Sequence, residues 1–428
     1  MEFALHPGII FVVAVILFVV LHPVLRWPMA LTFLVVAVVA AFLGGFGIPF
    51  RHLVEGGFGF INLVMALFAG AFFGHMMRIS GAADAAAVGI VQWTGGRSLL
   101  VLFAVGVPMF VVGMFVGLAG VAILSAGVFA VPAMRRIGYD DATIAGFMAV
   151  VGTAGMIAPP TNVPAMLLAD GVNMPWTGVS YALLSLSVPL ALVALGWFTW
   201  WGPTQPAMPM SADKGMVNGA AVRGLIPLAV IVLIWIVSRW FGEVIIDPVS
   251  PLILVIGGLA AFPMLAKRGD DMRRVLINTF TGTPLLLAGV LVTVGIVVQV
   301  ATLTGVRGWL VINIMTLPYP WNLPSLLVGM PLLGGALTSM EASDIVGVPA
   351  AFSFIRQDMI LNVAALSSIA SLSEFVAPTA IAAALSCYVV GSGTIRQVVR
   401  RAWAPMAVLA ILALLMLTNA PWLSGKLT

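Results

Sequence analysis

Charge is what this chain has least of. Only 8% of its 428 residues are Asp, Glu, Lys or Arg, where a soluble domain carries roughly 25%. With 62% hydrophobic residues, this scarcity excludes a soluble enzyme, a disordered chain and a nucleic-acid binder, and no basic cluster of the kind that follows phosphates occurs. Cysteine is limited to Cys387, so no intramolecular disulfide can form and a stapled secreted fold is not expected. The four histidines, His6, His22, His52 and His75, lack metal-ligand spacing. Tyr139-Asp140 has no matching Gly-x-Gly-Asp element elsewhere, which disfavours an intramembrane protease. No enzymatic activity is expected.

Long apolar runs are what the chain does have. About 20 apolar residues cross a bilayer as a helix, and ten such runs can be drawn, near 8–24, 29–46, 58–76, 142–168, 176–201, 224–240, 249–266, 280–303, 360–390 and 403–421. Two more, 98–134 and 322–354, are too long for one crossing and short for two. A half-depth, re-entrant hairpin fits both, because non-helical backbone at membrane depth is tolerated where protein or a water-filled cavity surrounds it. Threading the chain this way puts 14 of the 19 basic residues on one side. By the positive-inside rule that side is cytoplasmic, and both termini face outward. The segments 271–279 and 394–402 read as amphipathic arms on the inner surface.

A polar stretch at 203–222 divides the chain into a first repeat, 1–202, and a second, 223–428. Each holds five spans and one hairpin, and an odd number of spans inverts the second half relative to the first. The expected fold is therefore an all-α polytopic membrane protein with an inverted-topology repeat. Val131-Pro132-Ala133 closes one hairpin and Val348-Pro349-Ala350 the other, with Ala158-Pro159 and Ala377-Pro378 following at 27 and 29 positions.

Both candidate sites are breaks in apolar helices. In 142–168, Pro159 and Pro160 remove two backbone donors and clash with the preceding turn, so the helix should unwind. Freed carbonyls with Thr153, Thr161 and Asn162 could hold a dehydrated cation, while the next half-helix offers its positive end to an anion. The second break, in 360–390, reads Ser371-Leu372-Ser373-Glu374-Phe375-Val376-Ala377-Pro378-Thr379 and puts a carboxylate mid-span. Such an acid costs roughly 2.5–3.5 kcal/mol to insert, which suggests protonation or ion binding. Near the second hairpin's tip, Thr338-Ser339-Met340-Glu341-Ala342-Ser343-Asp344 adds two more acids, on one face if helical. No lysine or arginine lies in either hairpin or broken span to pair with the three. The first tip, Gly113 to Gly120, is small and apolar.

At Val131-Pro132-Ala133-Met134-Arg135-Arg136-Ile137-Gly138-Tyr139 and Ala158-Pro159-Pro160-Thr161, and in its paired layout, the chain resembles the large membrane subunit of tripartite ATP-independent periplasmic (TRAP) transporters. That family belongs to the superfamily that also holds the divalent anion/sodium symporters. The resemblance implies an elevator-type secondary transporter in the bacterial inner membrane. Sodium ions would sit between each hairpin tip and its broken helix, and an organic anion such as a carboxylate between the two sites. Carried over, it nominates Gly117, Gly120, Thr153, Pro159, Pro160, Thr161 and Asn162 in one half, and Thr338, Ser339, Asp344, Ser373, Ala377, Pro378 and Thr379 in the other. It also implies a small membrane subunit, a periplasmic substrate-binding protein and an oligomer in membrane lipid. The sequence departs from the family at the apolar Gly117-Leu118-Ala119-Gly120 tip and at Glu374 beside a single proline. Sodium-driven anion uptake is therefore the leading expectation. A cation/proton antiporter using Glu374, Glu341 and Asp344 is the runner-up, and a non-transporting assembly partner is the alternative from another class.

Overall fold

The computed structural model describes residues 4–176, 178–207, 223–234, 237, 251–316, 322–354, 357–377 and 379–427. Among them every regular element is helical and no strand occurs. Six helices are long and apolar enough to cross a membrane, namely Pro7–Val24, Ile61–Ile79, Ser98–Val116, Val179–Trp201, Arg268–Leu303 and Ile395–Thr418. The chain is an all-α, multi-pass membrane protein. Its outer surface is apolar, as at Ile9, Val12, Ile16 and Leu192, all exposed; in hydrocarbon such side chains lose nothing by facing outward.

Several expected spans are shorter than drawn, for visible reasons. Met29–Leu43 stops at Gly44 and Gly45, the second of which has a left-handed φ of 79°. Asp141–Ile157 ends where Pro159 and Pro160 withdraw the donors that Gly155 and Met156 carbonyls would have used. Of the 249–266 run, the described residues form Leu252–Leu259 and a single turn at Phe262–Met264. The linker beyond residue 207 lies outside the described residues; its start folds back, with Thr204 and Gln205 amides both donating to the Gly138 carbonyl at 2.9 Å.

One expectation is corrected outright. The segment 394–402 is no separate arm but the opening of Ile395–Thr418, started by a reciprocal cap between Thr394 and Gln397. Pro405 does not break that helix. Lacking an N–H, it leaves the Arg401 carbonyl free, and Trp197 Nε1 of the neighbouring span donates to that oxygen at 2.8 Å. The first hairpin has a long opening arm. Its first arm, Ser98–Val116, has 19 residues, a rise of about 28 Å, which is close to the thickness of the hydrocarbon core. It continues until Gly117 takes a left-handed φ of 69°. The return consists of Ala119–Leu124 and Gly127–Arg136.

The second hairpin runs through Asn322–Ala336, Ser339–Ala342, a wider-wound stretch at Ser343–Gly347 and Val348–Ser353. The second broken helix runs through Met359–Ser371, a tight turn at Leu372–Phe375 and the half-helix Ile381–Val390. The two hairpin–helix pairs cross over. Ala119–Leu124 packs on Ile381–Val390, and Ser339–Ala342 on Val163–Gly171, the second half of the first broken helix. Glycines make these seams close. A Cβ on Gly113 would lie 2.9 Å from the Gly155 backbone, and one on Gly155 would lie 2.6 Å from the Phe110 carbonyl oxygen.

Candidate substrate and ion site

A cavity of about 200 Å³ lies where both hairpin tips meet the second broken helix. Leu118, Ala119, Gly120, Val121 and Leu124 form one wall, Ile381, Ala384 and Leu385 another, and Leu63, Leu67, Leu287 and Leu291 of two spanning helices close it. Its polar groups are Thr338, Ser339, Glu374 and Thr379; no lysine, arginine or histidine lines it.

Glu374 is buried, 5% exposed, and both carboxylate oxygens accept a hydrogen bond. Ser339 Oγ donates to Oε1 at 2.7 Å, and the Ala382 amide donates to Oε2 at 3.0 Å. The acid therefore caps the N-terminus of Ile381–Val390 from within the break, in place of a neighbouring side chain. It also ties that half-helix to the tip of the second hairpin. At the other end of the same half-helix, Arg78 donates to the Val389 carbonyl at 2.6 Å and Arg135 to that of Val390 at 2.8 Å. Ten residues of helix thus carry a carboxyl group at the positive end and two cations at the negative end.

The hairpin tips are held to the breaks by backbone. Thr161 donates its amide to the Met114 carbonyl at 3.3 Å, and Thr379 donates both its amide and Oγ1 to that of Gly335 at 2.9 Å. Gly117 is obligatory: beyond its left-handed φ, a Cβ there would collide with the Thr161 carbonyl oxygen. Gly120 lines the cavity, and its added Cβ would meet Leu385 at 2.7 Å. Thr338 is extended and caps the next short helix through the Glu341 amide at 3.2 Å.

The nominated residues separate into two groups. Gly120, Thr338, Ser339, Glu374 and Thr379 reach the cavity. Those of the first break do not. Asn162 spends its side chain spanning that break, with Nδ2 donating to the Ile157 carbonyl at 3.0 Å and Oδ1 accepting from the Ala165 amide at 2.9 Å. Pro159 is buried and Pro160, exposed, offers its carbonyl to Trp176 Nε1 at 3.0 Å. Thr153 is buried, and its hydroxyl has no partner. Ser373 returns its hydroxyl to the Ala370 carbonyl at 2.6 Å, Ala377 is exposed, and Pro378 lies outside the described residues.

The other two acids also stand apart from the cavity, and the expectation that all three lack a basic partner is corrected. Arg307, from Val306–Met315, forms an ion pair with Asp344 across 37 positions of sequence. Pairing by a residue outside hairpin and broken helix left no local signal. Glu341 keeps one buried oxygen without a partner. The leucine walls and the Arg78 and Arg135 clamp were equally invisible, since the former look like any span and the latter like loop cations. Among the described residues no group of three or more metal-ligating side chains occurs.

Comparison with protein-family models finds no match, and comparison of the sequence with curated proteins likewise finds no significant match.

Proposed function

We propose that this chain is an ion-coupled secondary transporter of the bacterial inner membrane, with protons exchanging at Glu374. On this reading the chain is an inverted repeat with both termini outside, and it works by elevator-type alternating access. The repeat draws support from the matched tips, since Thr161 and Thr379, each just after a proline, anchor their hairpins through equivalent amide bonds.

The observation that carries the reading is the buried Glu374 carboxylate, held between a hairpin tip and a capped half-helix at a cavity wall. Protonating Oε1 requires the Ser339 hydroxyl to turn from donor to acceptor, which a hydroxyl can do without moving its oxygen. An arriving cation can replace the proton at the same oxygen. Exchange of proton for cation is thereby tied to the position of the hairpin tip, and the site supports cation/proton antiport best.

Sodium-driven uptake of an organic anion is the second reading, and Thr153 favours it. A hydroxyl with no partner, buried in the helix that loses carbonyl partners at Pro159 and Pro160, suits an alkali cation. The anion itself would face Glu374 with no basic residue in the cavity lining, so an accompanying cation or proton must offset its charge. A small membrane subunit and a periplasmic binding protein belong to this second reading, and their genes would be neighbours.

Purified protein in vesicles loaded with a pH-sensitive dye separates the two. Proton release triggered by cations and abolished in Glu374→Gln supports antiport. Sodium-dependent uptake of an organic acid, lost in Thr153→Val or Thr161→Ala and retained in Glu374→Gln, supports symport. Absence of flux under every gradient overturns both and leaves an assembly partner.

A further inference from the structure

A second cavity, of about 290 Å³, opens where the end of Ile61–Ile79, the start of Ala82–Trp93 and the end of the first hairpin meet. Three arginines, Arg78, Arg135 and Arg136, line it together with one acid, Asp84, and Val131 and Pro132 give it an apolar side. We propose that this cavity binds a phosphate ester, and that the arginine cluster recognises its anionic oxygens.

Structural contacts use only part of the hydrogen-bonding capacity of these arginines. Arg78 and Arg135 each direct one N–H to the end of Ile381–Val390, and Arg135 gives a second to Asp141 at 2.8 Å. Most donors on both remain available. Arg136 goes further, because its Nε is buried and has no partner at all. A buried, unanswered N–H on a cation is costly unless something accepts it. The planar fork of guanidinium groups matches phosphate oxygens, and charge-assisted bonds of this kind are the strong ones. Asp84 excludes nothing of this sort but lowers the net positive charge of the lining, which suits a phosphodiester as well as a monoester. The position fits too: Arg78 stands one residue from the end of a spanning helix, and arginine pockets between spans at that depth receive lipid headgroups. A lipid and a free phosphate ester share this chemistry, and the experiment must separate them.

The test uses the full chain in detergent, followed by native mass spectrometry and thermal unfolding. Short-chain phosphatidylglycerol, short-chain diacylglycerol, glycerol 3-phosphate and inorganic phosphate are the probes. Phosphatidylglycerol retained and stabilising, with the soluble phosphates inert, identifies a lipid headgroup; the reverse identifies a free phosphate ester. In either case Arg136→Gln should weaken binding by about tenfold, the equivalent of one lost charge-assisted bond. Asp84→Asn should tighten it, which separates a site effect from misfolding of the arginine variant. Equal retention of phosphatidylglycerol and the phosphate-free diacylglycerol with no phosphate effect, or equal binding by wild type and Arg136→Gln, overturns the proposal. The outcome does not depend on transport activity, so failure here and failure of the transporter reading remain distinguishable.

Discussion

The two broken helices are closed by opposite means. The first is bridged by a neutral amide, Asn162, which bonds backward to Ile157 and forward to Ala165. Its repair is local. The second is bridged by a carboxylate, Glu374, which bonds forward to Ala382 but sideways to Ser339 on the hairpin. Its repair depends on another element staying in place. An amide that satisfies its own helix can only hold shape, whereas an acid shared with a neighbour changes state when the neighbour moves. Chemistry and architecture are therefore divided between the halves, and the second half carries the titratable one.

Substitutions can break this contrast. The largest expected effect is on flux: Glu374→Gln should reduce cation-triggered proton movement to the level of empty vesicles. Folding should persist, because the amide oxygen can still accept from Ala382. Asn162→Ala should do the reverse. Loss of the cap and of the bond to Ile157 should lower stability by about 2–4 kcal/mol, seen in thermal unfolding, with the coupling ratio per molecule unchanged. If coupling fails in Asn162→Ala while stability holds, the contrast is wrong. Gly117→Ala sharpens it, because a left-handed residue pressed on the Thr161 carbonyl should cost about 2–4 kcal/mol. Ser339→Ala should slow proton-linked flux severalfold while Ser339→Thr, which keeps the hydroxyl, restores it. The smallest effect belongs to Arg307→Gln. Its pair with Asp344 is partly exposed, so stability should change by less than about 1 kcal/mol and flux hardly at all.

The membrane class and helical content were legible from hydropathy, and the first break from two adjacent prolines. Legibility ended where partners lie far apart in sequence. Glu374 stood out as a buried acid, but its ties to Ser339 and Ala382 required knowing how hairpin and half-helix meet. Asp344 looked uncompensated until Arg307 arrived from another helix. Asn162 looked like a ligand because polar residues beside prolines can face either a substrate or their own backbone, and composition does not distinguish these. The true length of the first hairpin arm was hidden because the run 98–134 was judged by its total length, whereas Ser98–Val116 takes 19 of its residues and the return is split into two short helices.

The seam between Gly113 and Gly155 has a mechanical meaning. Where two main chains touch with no side chain between them, there is nothing to re-rotate, and sliding would force carbonyl against Cα at every step. The joint behaves as a weld rather than a bearing. On the transporter reading, the first hairpin arm and the first broken helix would travel as a single casting. Paired cysteines placed on either side of that seam should cross-link in every state, whereas pairs set between this casting and Ile61–Ile79 should report the movement.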